Sequence, residues 1–72
     1  GFLTQQSKAM TNWVQYEVWA EDDDGHQELV ETTASKKEAL SVAQKAFNEG
    51  LGIVTVHEET SDGDYELIKE FK

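Results

Sequence analysis

Cysteine and arginine are both missing from this 72-residue chain. Without cysteine there is no disulfide and no thiolate zinc site. That composition suits a reducing compartment, and a cytoplasmic location is expected. Without arginine there is no bidentate phosphate clamp. Lysine is scarce as well: 6 lysines stand against 15 acidic residues, for a net charge of −9. Direct nucleic-acid binding is therefore not expected, because contacts to phosphates need cations. No apolar run approaches the roughly 20 residues of a membrane span, and residues 1–12 lack the basic start and apolar centre of a signal peptide. A chain this short makes one domain and buries only about 60% of its unfolded surface.

The apolar residues nevertheless fall in periodic runs, which argues for a folded chain rather than a disordered one. Residues 1–12 (GFLTQQSKAMTN) have no clear period. They are expected to form a flexible segment, either a natural tail or an extension ahead of a start at Met10. The domain is expected over residues 13–72. Trp13 to Ala20 (WVQYEVWA) alternates and is rich in aromatic and β-branched residues, as a strand requires. A turn at Asp24-Gly25 leads to a second strand, Gln27 to Thr33. Ser35 to Gly50 reads as a helix: Ser35 and Glu38 form a capping box, and Ala39, Leu40, Ala43, Ala46 and Phe47 line one face. Gly50 stands where a C-terminal cap belongs. Ile53 to Glu58 and Tyr65 to Phe71 are two further strands, joined through Asp62-Gly63.

The two hairpins share a grammar. Val18, Glu21, Asp24-Gly25 and Glu28-Leu29 recur 38 positions later as Val56, Glu59, Asp62-Gly63 and Glu66-Leu67. The fold expected is α+β: a two-layer ββαββ domain with a four-stranded, mostly antiparallel sheet and one helix on one face. The helix-facing layer is expected to hold Val14, Tyr16, Val18, Val54, Val56, Tyr65, Leu67 and Phe71, with one of Leu29 and Val30. The opposite face should then show Trp13, Trp19, Ile53 and Ile68 among Glu17, Glu66 and Glu70. Two tryptophans outside so small a core mark a contact surface, for a partner or for a homodimer.

The stretch AEDDDGHQ (residues 20–27) invites comparison with a calcium loop. With Gly25 at the sixth position, Asp22, Asp24 and Glu31 fall at positions three, five and twelve. The first position is Ala20, however, and the flanks read as strands rather than helices, so a plain hairpin turn is the better reading. No cofactor or metal is expected. Nor is an enzyme: His26 lies in a turn, and His57 with Thr55 reads as the polar outer face of a strand.

Charge is unevenly shared along the chain. Residues 13–34 carry seven acids and no lysine, residues 51–72 six acids and two lysines, and residues 35–50 three lysines against two acids. The negative field thus belongs to the hairpins and their turns. Side chains on one strand face repeat every ~6.6 Å, so strand glutamates can form a row of anions like a phosphate row. This pattern leads to an expected function: a non-enzymatic acidic inhibitor that occupies a basic, DNA-facing surface of a DNA-binding or transcription protein. The binding residues would be Asp22, Asp23, Asp24, Glu28, Glu31, Glu58, Glu59, Asp62, Asp64 and Glu66, with Trp13, Trp19, Ile53 and Ile68 as anchors or dimer contacts. The alternative is a small accessory subunit or dimerisation module bound through an apolar sheet face.

The run WVQYEVWAEDDDGHQELVETTASKKEALSVAQKAFNEGLGIVTVHEE resembles small phage-encoded inhibitors of bacterial RNA polymerase, in which a hairpin precedes a helix with an ASKKEAL-like opening and then a strand. VHEETSDGDYELIKEF is similar to the final acidic hairpin of the RNA polymerase epsilon subunit. In size and acidity the chain also resembles phage DNA-mimic proteins. These resemblances imply a partner in transcription or DNA handling, either RNA polymerase or a nucleoid protein. They assign no role to any single residue.

Overall fold

The structure is a computed structural model that describes residues 12–72. The flexible segment expected over residues 1–12 therefore lies outside the described residues, apart from Asn12. Four strands and one helix follow in the order β1 (Val14–Glu21), β2 (Gln27–Thr33), α1 (Lys36–Asn48), β3 (Ile53–Thr60) and β4 (Tyr65–Phe71). The strands form a single antiparallel sheet in the order β2-β1-β3-β4, with α1 packed on one face. This is the ββαββ architecture expected from the sequence.

The helix is bounded by its own side chains. At the N-terminus the Ser35 hydroxyl accepts the Glu38 N–H at 3.2 Å. Glu38 does not return the bond as a full capping box would; its carboxylate accepts the Thr33 hydroxyl at 3.0 Å, and that hydroxyl accepts the Ser35 N–H at 3.2 Å. At the C-terminus Gly50 N–H donates to the Phe47 carbonyl at 3.0 Å and Leu51 N–H to that of Ala46 at 3.3 Å. These two bonds are the Schellman pattern, which places a residue with positive φ just past the helix, here Gly50 at 83°.

The core is made of small residues. Val18, Val54 and Val56 are fully buried against Ala39, Ala43 and Ala46, with Tyr16 and Ala20 beside them. Alanines four and three residues apart share one face of the helix, so its backbone can lie close to the sheet. Val30, Leu40, Val42, Phe47, Ile68 and Phe71 close the periphery.

The repeat seen in the sequence is built into the pairing. In the central ladder Val18 stands opposite Val56, its own counterpart 38 positions on. A pseudo-twofold axis therefore runs through this pair and exchanges the two hairpins. Both turns obey it: Asp22 N–H donates to the His26 carbonyl and Thr60 N–H to that of Asp64, each at 3.0 Å. Gly25 and Gly63 N–H donate back to Asp22 and Thr60, again at 3.0 Å. The outer strands obey it too, because each carries a β-bulge at the matching place. Val18 pairs with Glu31 and Trp19 with Leu29, which leaves Val30 extra. Val56 pairs with Lys69 and His57 with Leu67, which leaves Ile68 extra.

The bulges correct the expected faces. One inserted residue reverses the side-chain parity of the strand beyond it. Ile68 joins the core on the helix side instead of the opposite face, and Glu66 stands on the helix side opposite Glu58. Tyr65 and Leu67 move the other way, onto the uncovered face, where they are about half exposed at 52% and 50%. Of Leu29 and Val30, it is Val30 that reaches the core. Val14, the first residue of β1, is exposed rather than buried under the helix.

Three substitutions test this packing. Gly52 has φ +107°, and a Cβ there would collide with the Glu21 carbonyl at the end of β1. Gly50 also has positive φ (+83°) but has open space around it. Gly52→Ala should lower stability by about 3 kcal/mol or more and Gly50→Ala by about 1 kcal/mol, as read from urea unfolding. Thr60 holds a buried hydroxyl with no partner among the described residues. Its counterpart Asp22 accepts the N–H groups of Asp24 at 3.0 Å and His26 at 2.9 Å. Thr60→Asn supplies an equivalent acceptor without new charge and should raise stability by about 1 kcal/mol.

Candidate functional site

The expected acidic site does not assemble on one side. β1 and β3 run antiparallel, so the two acidic turns lie at opposite ends of the sheet, separated by an eight-residue strand, or about 25 Å. Asp22, Asp23 and Asp24 are at one end, Asp62 and Asp64 at the other, and all five are exposed. Glu28, Glu31, Glu58 and Glu66 stand on the helix side of the sheet by their pairing with Ala20, Val18, Tyr16 and each other. Glu59 pairs with Gln15 on the opposite face. Several of these carboxylates also have internal partners: Asp22 holds its own turn, Glu58 accepts the Tyr16 hydroxyl at 3.0 Å, and Glu59 accepts the Gln15 amide at 3.2 Å.

Asp22, Asp24 and His26 offer ligand atoms within 4.8 Å of one another, all exposed. The Asp22 oxygen Oδ1 already takes two backbone N–H groups, and its Oδ2 lies 3.7 Å from His26 Nδ1. Glu31, the twelfth position of the calcium-loop pattern, is in β2 opposite Val18 rather than in the turn. The local geometry is that of a hairpin turn organised by an aspartate.

What the fold does bring together is the sheet face away from α1. No element among the described residues covers it. Trp19 pairs with Leu29 on one side and Thr55 on the other; His57 pairs with Glu17 and Leu67; Glu59 pairs with Tyr65. Leu29 at 45%, Tyr65, Leu67, Ile53 at 37% and Trp13 at 43% are exposed large apolar residues. Trp19 and Ile53 are thus on the face assigned to them, Trp13 is exposed just ahead of β1, and Ile68 is replaced by Leu67.

The centre of this face is ordered by one carboxylate. Glu17 Oε1 accepts the Trp19 indole N–H and the Tyr65 hydroxyl, each at 2.9 Å. The Tyr65 ring lies nearly parallel to that of His57, at 10° and 5.0 Å between centroids. His57 Nε2 lies 3.2 Å from Thr55 Oγ1. Trp19, Tyr65, His57 and Thr55, with Gln27, line a cleft of about 250 Å³, and Glu17 adjoins it through its bonds to Trp19 and Tyr65. Two larger hollows of about 520 and 610 Å³ open at the Asp22–Gly25 end of the sheet. The sequence hid this cluster because Tyr65 and Leu67 alternate with Phe71 as though all three faced the core. The available signal was a pair of apolar doublets, Leu29-Val30 and Leu67-Ile68, each breaking strand alternation at the same point of its hairpin.

No protein-family model, curated protein or solved structure matches the chain. Geometry and chemistry therefore carry the functional reading.

Both tyrosine hydroxyls ionise above their ordinary value. The hydrogen bond to Glu58 raises Tyr16 above the ordinary value of 10, with burial and the Glu58 charge adding to it. Tyr65 is raised by burial first, then by its bond to Glu17 and the charges of Glu17 and Glu59, against a smaller opposing effect of Trp19. A phenol that ionises later in the folded than in the unfolded chain stabilises fully below pH 10. That stabilisation is lost as pH climbs from about 10 through the raised value. Stability should therefore fall with pH above about 10. The slope should shrink in both Tyr16→Phe and Tyr65→Phe, followed by urea midpoints together with phenolate absorbance.

Proposed function

We propose that this chain is a non-enzymatic protein-binding module and that its contact surface is the sheet face opposite α1. The observation that carries the reading is the uncovered array of Trp13, Trp19, Leu29, Ile53, Tyr65 and Leu67 around Glu17. Aromatic side chains with a polar tip, clustered and pre-positioned, are the usual anchors of a protein interface. A face of this kind fits an accessory or inhibitory subunit.

The partner class that the charge supports is a basic protein, since the module carries a net −9. RNA polymerase or a nucleoid protein is the candidate that the sequence resemblances offer. DNA mimicry through the hairpin acids has less support, because those ten carboxylates divide between two ends and two faces and several are tied to neighbours.

Paired variants separate the readings. Partner capture from a bacterial lysate and self-association in sedimentation are measured for Trp19→Ala and Leu67→Asp, and for charge reversals Asp23→Lys and Asp62→Lys. The sheet-face changes should weaken association by about tenfold or more, as truncating an interface anchor does. The turn reversals should cost no more than about threefold, as rim charges do. The opposite ranking would overturn the reading in favour of phosphate mimicry.

A further inference from the structure

We propose that the cleft between Trp19 and Tyr65 receives an arginine side chain of the partner protein, with Glu17 as its counter-ion. The inference rests on reading the uncovered sheet face as the contact surface, and it adds the chemistry of what lands there.

Glu17 is the key group. Its Oε1 accepts both ring donors, at 2.9 Å each, and among the described residues its Oε2 accepts no hydrogen bond. Trp19 and Tyr65 are thereby tied to one oxygen of a carboxylate whose other oxygen, among the described residues, has no donor. Groups held in place beforehand lose little freedom when a ligand arrives, which favours binding. The floor is polar and occupied, with Thr55 and His57 3.2 Å apart, and His57 is stacked on Tyr65. At about 250 Å³ the cleft matches a single side chain better than a whole small-molecule ligand.

The charge around it selects the occupant. Glu17, Glu21, Glu59 and Glu70 share this face by their cross-strand pairing. The one lysine near the face among the described residues is Lys72, past the end of β4 and 3.9 Å from Glu70. A second copy of the chain would set these carboxylates against an identical group, with Lys72, already beside Glu70, the one cation among the described residues to answer them. An apolar side chain would bury Glu17 without a partner for Oε2, and leaving a carboxylate unpaired is costly. A hard metal ion would find one carboxylate oxygen where it needs several. A cation on a flexible side chain meets all three conditions. Between the two natural cations, the planar guanidinium lies flat against indole and phenol rings and still presents forked N–H donors to the carboxylate. The chain contains no arginine of its own, so a second copy of it cannot supply this occupant.

The test uses the full chain and N-acetyl-arginine amide, with the neutral isostere N-acetyl-citrulline amide as control. Nitrogen–proton spectra follow the Trp19 indole N–H. Arginine should shift that resonance saturably with an affinity on the order of millimolar, as a lone side chain does. Citrulline should bind about tenfold more weakly or worse, and E17Q should abolish the difference between them. Glu70→Gln, on the same face but outside the cleft, should leave arginine binding unchanged. Equal shifts from arginine and citrulline, or arginine shifts confined to Asp22–Asp24, would overturn the proposal. If E17Q loses its fold, the comparison of the two amides on the unaltered chain decides the matter. A negative result with sheet-face variants still losing their partner removes arginine and keeps the contact face. Partner binding indifferent to Trp19→Ala and Leu67→Asp removes the face itself.

Discussion

The fold depends on one cross-strand pair. Val18 and Val56 meet at the centre of the β1–β3 ladder, fully buried beneath the alanine face of α1. Everything else is arranged about them: each heads a hairpin, each hairpin turns the same way, and the helix that joins the hairpins returns across the pair. A core of valines and alanines is thin. It stabilises the domain through close approach of helix and sheet rather than through large side chains, so the points where backbones come nearest matter most. Gly52, pressed against the end of β1, is one such point.

A single helix protects only one side of a sheet. Trp19 and Tyr65 lie on the other side, and their placement away from the helix is the physical basis of the functional reading. Val18, Val54 and Val56 pack under the alanines of the helix, while Trp19, Tyr65 and Leu67 stand on a face that no element among the described residues covers. The hydrogen bonds of Glu17 to two rings show that this face is organised before any partner arrives. Excess carboxylates surround it, and their sign restricts what can bind there.

Much of the architecture could be read from the chain. The helix was legible because Ser35, the alanine stripe and Gly50 each act locally, within a turn or two of backbone. The strands and turns were legible from alternation and from the Asp-Gly pairs. The faces of β2 and β4 were not, because a bulge is a decision made by pairing between strands. Leu67 and Ile68 are adjacent and both apolar, and only the register against β3 sends one to the core and the other outward. The same limit applied to charge. The count of acids per hairpin was right, yet an antiparallel ladder sends equivalent turns to opposite ends, so a shared pattern in sequence became a separation in space.

The paired bulges have a consequence for how copies of this protein meet. β2 and β4 are the only strands among those described with an open row of backbone donors and acceptors, and both are interrupted at mid-length, at Val30 and Ile68. Glu28, Glu31, Glu66 and Glu70 line the same two borders. A kinked, anionic border is a poor template for adding strands. Sheet extension from molecule to molecule, the route to fibrils, is thereby obstructed on both flanks, and a crowded solution of the protein should stay free of ordered aggregates even with its broad aromatic surface uncovered.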